Sequence, residues 1–291
     1  MKPAPFTYSA PRSVEEAVNL LGEQGGEANL LAGGQSLVPL MNLRLAKPRH
    51  IIDLNRIAAL DYIRPADGGI VIGAMTRQAG LEDSGAAKEA APLLIDAVKL
   101  VAHPMIRHRG TVGGSIAHAD PAAELPAAMV ALGAEFTAHG PSGARTILAE
   151  SFFTGPLTTV LEPAEILTEI RVPGWPAGTG HAFLELSRTH GNFAIVGVAA
   201  LMTLDGGGQI SRASLVFCGV GPTPVRARQA EASLVGATPT DARLQEAARL
   251  ASGEVSPPSD VHASAEYRRR VTAVYAGRAL TVALSHARGG K

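Results

Sequence analysis

Two segments of the chain have the composition of phosphate-binding turns: Ala32-Gly33-Gly34-Gln35-Ser36-Leu37 and Gly110-Thr111-Val112-Gly113-Gly114-Ser115-Ile116. Paired glycines remove the side chains that would keep a phosphate off the backbone, and Ser36, Thr111 and Ser115 place hydroxyl donors beside the N–H groups. Together the two turns could clamp one diphosphate. Taken singly, each is also an ordinary tight turn, because Gly-Gly pairs are common in loops. A group rich in histidine and arginine surrounds the second segment: His103, Arg107, His108, Arg109 and His118, with Asp120 and Glu124 just beyond. Such a set admits a metal site, a solvated or interfacial surface, or a contact with an anionic cofactor or partner. The spacings match no common zinc pattern, no thiolate is near, and the arginines repel a cation, which weighs against the metal. Asp120 and Glu124 are spaced i, i+4 at the expected start of a helix, where the dipole favours acids; either carboxylate could instead accept from ribose hydroxyls.

Other nucleotide and catalytic signatures fail on inspection. No Gly-Lys-Ser/Thr tripeptide occurs, so there is no Walker A loop. Gly219-Val220-Gly221-Pro222-Thr223-Pro224 puts proline where a dinucleotide fingerprint needs its third glycine. Gly113-Gly114-Ser115-Ile116-Ala117 lacks the closing glycine of a hydrolase elbow.

Composition narrows the class. The chain has 291 residues, a length that suggests two or three compact units, and 26 basic against 26 acidic side chains. A balanced charge gives no electrostatic reason to seek nucleic acid or an anionic membrane. The single cysteine, Cys218, rules out an intramolecular disulfide and any iron–sulfur or zinc site built from several thiolates of this chain. A reducing cytoplasm is the expected compartment. The first residues, MKPAPFTYSAPRSVEEAV, carry prolines where a signal peptide has its apolar segment, and no apolar run reaches membrane-spanning length.

The elements that must position these residues follow from periodicity. A helix is expected from Ser13 to Gln24, with Ser13 and Glu16 as a capping box and Val14, Ala17, Val18 and Leu21 as its apolar stripe. A strand over Ala28–Ala32, the first glycine turn, a helix over Leu37–Leu45 and a strand over His50–Leu54 make a βαβ-like unit, with the turn at a strand end where open α/β sheets place ligands. Next come a hairpin of Leu60–Arg64 and Gly69–Met75, a helix over Ala86–Ala102, a loop over Ala102–Ala119, and a helix over Pro121–Leu132. Strands over Glu135–His139, Arg145–Leu148 and Glu165–Val172 close this region. Pro173-Gly174-Trp175-Pro176-Ala177-Gly178 reads as a linker. Beyond it lie strands over Ala182–Ser187, Ala194–Leu204 and Ser214–Gly219, then helices over Ala242–Ala251 and Ala265–Leu284.

The two glycine segments in this order, with Val38-Pro39-Leu40-Met41, Ile52-Asp53-Leu54-Asn55 and Asp120-Pro121-Ala122-Ala123-Glu124-Leu125-Pro126, resemble the FAD-binding medium subunit of molybdenum hydroxylases, those of carbon monoxide dehydrogenases most of all. The resemblance continues through Arg188–Ala200 into the helical tail. It implies an α+β fold with a vanillyl-alcohol-oxidase (PCMH) type FAD-binding domain over residues 1–175, in subdomains of about 1–57 and 58–175. A C-terminal domain over 178–287 follows, with a small antiparallel sheet and helices. It also implies a heterotrimer. A large subunit with a molybdopterin cofactor oxidises substrate, a small subunit with two [2Fe-2S] clusters relays electrons, and FAD on this chain passes them to an external acceptor. The whole is a dimer of heterotrimers.

Carried over motif by motif, Ala32, Gly33, Gly34, Gln35 and Ser36, with Thr111, Val112, Gly113, Gly114 and Ser115, hold the FAD diphosphate through backbone amides and hydroxyls, and Leu37 packs beside them. Glu124 lies toward the adenosine part, with Asp120 kept as a second candidate acceptor for the ribose, Leu167 lines the flavin pocket, and Phe193 lies near the isoalloxazine ring. No residue acts as acid, base or nucleophile, because electron transfer asks the protein only to position and tune the cofactor. Four positions depart from the family pattern: Gln35 stands for a frequent histidine, Glu124 and Asn192 for aspartates, and Leu184 for a lysine found in some relatives. The last removes a cation and so disfavours anionic reduced flavin. Two other classes remain open at this point: a scaffold subunit with a degenerate FAD site, and a stand-alone FAD-dependent oxidase.

Overall fold

A computed structural model describes residues 1–290. The N-terminal part contains β1 (Thr7–Ser9), α1 (Val14–Glu23), β2 (Ala28–Leu31), α2 (Leu37–Asn42) and β3 (His50–Asp53). Its three strands are parallel in the order β1-β3-β2, as the βαβ reading requires. Ser13 caps α1 by accepting the Glu16 N–H at 3.1 Å, while the Glu16 carboxylate takes the Arg12 N–H at 2.8 Å, one residue earlier than a reciprocal capping box. Ala17, Val18 and Leu21 pack with Ile52, Leu54 and Ile57 in a small core of their own.

The next part begins with the hairpin β4 (Ile63–Ala66) and β5 (Gly69–Gly73), turned by Asp67 and Gly68, both left-handed. Leu60, expected in the first strand, lies instead in a 3-10 turn. Helices α3 (Gln78–Asp83), α4 (Gly85–Ala90), α5 (Pro92–Leu100), α6 (Pro104–Arg107), α7 (Val112–His118) and α8 (Glu124–Leu132) follow. The strands are β6 (Glu135–Gly140), β7 (Gly143–Leu148), the short pair β8 (Phe153–Gly155) and β9 (Thr158–Thr159) after the turn α9 (Ala149–Phe152), and β10 (Ile166–Val172). The main sheet is antiparallel, in the order β4-β5-β10-β6-β7.

Several expected boundaries move. The helix expected over 86–102 is two helices, because Pro92 occupies the first turn of α5 and lacks the N–H that would continue α4. The expected loop 102–119 contains α6 and α7. The helix expected from Pro121 starts at Glu124, so Asp120 lies outside it and accepts the Ala122 N–H at 2.8 Å. Helix α2 stops at Asn42 rather than Leu45, ahead of Arg44, which is left-handed.

The C-terminal part comprises β11 (Gly180–Leu186), β12 (Val196–Leu204), β13 (Ile210–Cys218), β14 (Val225–Arg226), α10 (Arg228–Leu234), α11 (Asp241–Glu254) and α12 (Ala265–Ala287). Its antiparallel sheet, β11-β12-β13-β14, is covered on both faces. One face packs with α11 and α12, and the other joins the core under α5 and α8. This explains why β12 is an unbroken apolar run rather than an alternating one. Residues 173–178 form neither helix nor strand, yet the segment is pinned: Trp175 Nε1 donates to Leu132 O at 3.1 Å and the Arg212 guanidinium lies 3.6 Å from the ring centroid.

Candidate functional site

The two glycine segments, far apart in sequence, touch. A Cβ added to Gly33 would lie 2.4 Å from Arg109 O and 2.7 Å from Gly110 Cα; one on Gly114 would lie 3.5 Å from Ala32 Cβ. Only glycine permits the approach at position 33. Gly34 has φ +74, a conformation that other L-residues rarely adopt, and this turns the chain from β2 into α2.

The segments contribute differently. Among the described residues, the N–H groups of Gly33, Gly34, Gln35 and Ser36 donate to nothing, and Ser36 is exposed. Gln35 holds the turn closed by donating from Nε2 to Gly33 O at 3.0 Å. In the second segment the amides are already used: Val112 N–H donates to Thr76 O and Gly113 N–H to Ala74 O, each at 2.9 Å. Gly114 N–H donates to Thr111 Oγ1 at 3.0 Å and Ser115 N–H to Thr111 O at 3.1 Å. The expectation that Thr111–Ser115 offers backbone amides is therefore corrected for residues 112–115. They form the first turns of α7, capped by Thr111, which is 2% exposed, and what they leave for a ligand is the part-exposed Gly114 surface and the Ser115 hydroxyl. Gly113 is glycine for another reason, since its missing Cβ would meet Ala74 at 2.5 Å.

The remaining expected residues are dispersed around this contact. Leu37 opens α2 and is half-buried. Leu167 is in the core on β10, and its neighbour Thr168 accepts at its carbonyl the Ala74 N–H at 2.9 Å. Phe193 is 67% exposed in the 187–193 turn, which rests on residues 102 and 103 of the preceding part. Asp120 lies before α8. Glu124 is only 7% exposed, and its carboxyl faces Glu185 on β11, across the seam between the two parts of the chain. Burial and then the facing carboxylate push Glu124 well above the ordinary carboxylate range, and burial raises Glu185 likewise. Leu184 points away from Glu185 along β11 and packs against the C-terminal core.

Arg107, for which the sequence left a contact with an anionic cofactor open, is 6% exposed and bound to Glu82, Nε to Oε2 at 2.8 Å, so it braces α6 against α3 rather than meeting a ligand. One grouping escaped the sequence. Arg77 and Asn55 tie the glycine segments to each other; an Arg two residues beyond Met75 in an unremarkable turn gave no signal, although Asn55 lay in the motif that carried the resemblance. Among the described residues no group of His, Cys, Asp and Glu is arranged to hold a metal, and no helix is long and apolar enough to cross a membrane.

A cradle of free amides beside a glycine-only contact, set between a parallel and an antiparallel sheet, fits an α+β protein that binds an anionic ligand on its backbone. Comparison with known proteins makes this specific. Residues 4–175 match the family described as FAD binding domain in molybdopterin dehydrogenase, and residues 181–283 match the CO dehydrogenase flavoprotein C-terminal domain. The chain belongs to this family, the FAD-binding medium subunits of molybdenum hydroxylases, which are oxidoreductases. It is 43% identical over 291 residues to the 6-hydroxypseudooxynicotine dehydrogenase complex subunit alpha of Paenarthrobacter nicotinovorans, covering 100% of this chain and 98% of that one. It is 42% identical over 283 residues to the carbon monoxide dehydrogenase medium chain of Hydrogenophaga pseudoflava, covering 97% and 98%. The solved structure of carbon monoxide dehydrogenase from the latter organism, lacking the Mo-pyranopterin moiety, superposes with a TM-score of 0.96 at 44% identity, covering 98% of this chain and 99% of that one.

Proposed function

We propose that this chain holds FAD with its diphosphate across the two glycine segments. It takes electrons from a small subunit carrying two [2Fe-2S] clusters, which is fed in turn by a large molybdopterin subunit. The observation that carries the reading is the run of unengaged amides at Gly33–Ser36, locked by Gly33 against Arg109 and Gly110. Backbone donors with no internal partner fit an anionic ligand, and burying them without one is costly. Ala32–Ser36 supply the amides, Ser115 the hydroxyl, and Gly114 the bare surface on which the cofactor lies, with Thr111 holding that turn in shape as its cap. Asp120, Glu124, Leu167 and Phe193, with Leu37, frame the rest of it. FAD bound there supplies reversible electron acceptance and delivery to an external acceptor, while the chain positions it and sets its polarity.

The FAD-binding unit is residues 1–175 and the partner-facing unit 178–287. The assembly is a dimer of heterotrimers in the cytoplasm. Having no thiolate set of its own, the chain depends on a partner for the clusters that feed its flavin. Relatives of almost equal identity are named for carbon monoxide and for a hydroxylated pyridine compound, so the identity of the substrate is decided on the large subunit.

The test is anaerobic mixing of the purified complex with the substrate of its large subunit. Bleaching of the flavin absorbance that requires the [2Fe-2S] subunit supports the reading. A complex without flavin makes the chain a scaffold, and substrate turnover by the lone chain makes it a stand-alone oxidase.

A further inference from the structure

The geometry points to Arg77, acting with Asn55, as the positioning residue that locks the two glycine segments into a single diphosphate cradle. This rests on the reading of the site given above and names a device within it. Arg77 stands just before α3, and its backbone forms an isolated bridge with Thr111, flanked by Gln78 N–H to Gly110 O and Val112 N–H to Thr76 O, each 2.9 Å. Its side chain then reaches both segments. Nη1 donates to Arg109 O, the same carbonyl that crowds Gly33, and Nη2 donates to Asn55 Oδ1 at 2.6 Å. Asn55 Nδ2 donates to Ala32 O at 3.0 Å and to Asp53 Oδ1; Asp53 accepts the Tyr8 hydroxyl at 2.6 Å on its other oxygen.

One connected set of hydrogen bonds therefore runs from β1 through Asp53, Asn55 and Arg77 to the second glycine segment, with a branch onto the first. The amide of Asn55 has one orientation in this set, because Nδ2 faces two acceptors and Oδ1 faces a guanidinium. A planar fork with donors on two nitrogens suits two acceptors in different directions, which a single ammonium does not. Both ends of the network hold the backbone of the cradle, and neither end needs the ligand to be in place. The Arg77 and Arg109 guanidiniums are also close enough to repel. Burial first and then this repulsion disfavour the charged form of Arg77, while Asp61 and Asp53 favour it, and an anion between the segments would favour it further.

The test uses the complex purified with its partner subunits, stripped of flavin and titrated with FAD. Arg77→Ala is expected to raise the FAD dissociation constant about tenfold or more, since it removes charge-assisted hydrogen bonds. Arg77→Lys, which keeps the charge and the stem, is expected to fall between Ala and wild type. Asn55→Ala is expected to match Arg77→Ala, and the double variant to be no worse than either, because the clamp fails as a unit. In the flavin-free complexes the three alanine variants should share one lowered unfolding temperature, with Arg77→Lys between them and wild type. Wild-type affinity in Arg77→Ala, full affinity in Arg77→Lys, or simple additivity of the two alanine substitutions overturns the clamp while leaving the site reading intact. A wild-type complex that takes up no FAD overturns the site reading itself.

Discussion

Replacing Gly33 by alanine tests the contact on which the cradle depends. The new methyl would lie 2.4 Å from Arg109 O and 2.7 Å from Gly110 Cα, where ordinary contact begins near 3.4 Å. Both obstacles are backbone, so no side chain can rotate away, and the two segments must part by about 1 Å. Overpacking of this kind costs about 1–3 kcal/mol, and a displacement near 1 Å spoils a site built from fixed donors. The expected outcome is at least a tenfold loss of FAD affinity (about 1.4 kcal/mol), with a lower unfolding temperature. Gly22→Ala is the control: it lies inside α1 with nothing within 4 Å of the added Cβ, and it should stabilise by about 0.5–1 kcal/mol without touching flavin binding. Flavin content per chain, FAD titration of the stripped complex and thermal unfolding read all three quantities. Wild-type FAD affinity in Gly33→Ala would refute the claim that the two segments act as one cradle.

Other expectations concern the seam and the core. The Glu124–Glu185 pair is raised above the unfolded carboxylate value of 4.5, so the folded chain keeps a proton that the unfolded chain has released. Its contribution is undiminished below that value and stability falls as pH rises from there through neutrality; Glu124→Gln should flatten this decline in unfolding temperature measured across the range. Trp175→Ala removes the hydrogen bond to Leu132 and the stack under Arg212, and should cost about 2 kcal/mol while making the 173–178 segment a preferred site of limited proteolysis. Trp175 is the chain's one tryptophan, so native fluorescence reports the state of this segment directly. Cys218 is wholly buried and its thiol is pushed up by desolvation, so it should resist thiol reagents in the native protein and react once the chain unfolds.

Much of this molecule was legible in the sequence where local chemistry decides structure. The Ser13 cap, the Asp67-Gly68 turn, the parallel unit around the first glycine pair and the apolar β12 all follow from residue type and period. Helix α7 was not legible, because two consecutive glycines oppose a helix; its Thr111 cap and the backbone contact of Gly113 with Ala74 override that propensity. The glycine pairs suggested a phosphate site, but residue type could not tell that the amides of residues 112 and 113 find acceptors in the 74–76 turn and those of 114 and 115 on Thr111, while those of 33–36 find none among the described residues. Glu124 was read for its place in a motif, and only the fold brings Glu185 opposite it. Arg77 and Arg107 are surface residues by type; long-range pairing alone makes one a clamp and the other a buried brace.

Whether this chain carries a working FAD between its glycine segments is decided by measuring protein-bound FAD in the complex purified with its molybdopterin and [2Fe-2S] subunits, then following that flavin on anaerobic addition of substrate. Stoichiometric FAD is expected, diminished in Gly33→Ala and bleached by substrate in the wild type. A flavin-free complex that still delivers electrons to the same acceptor at the full rate would contradict this.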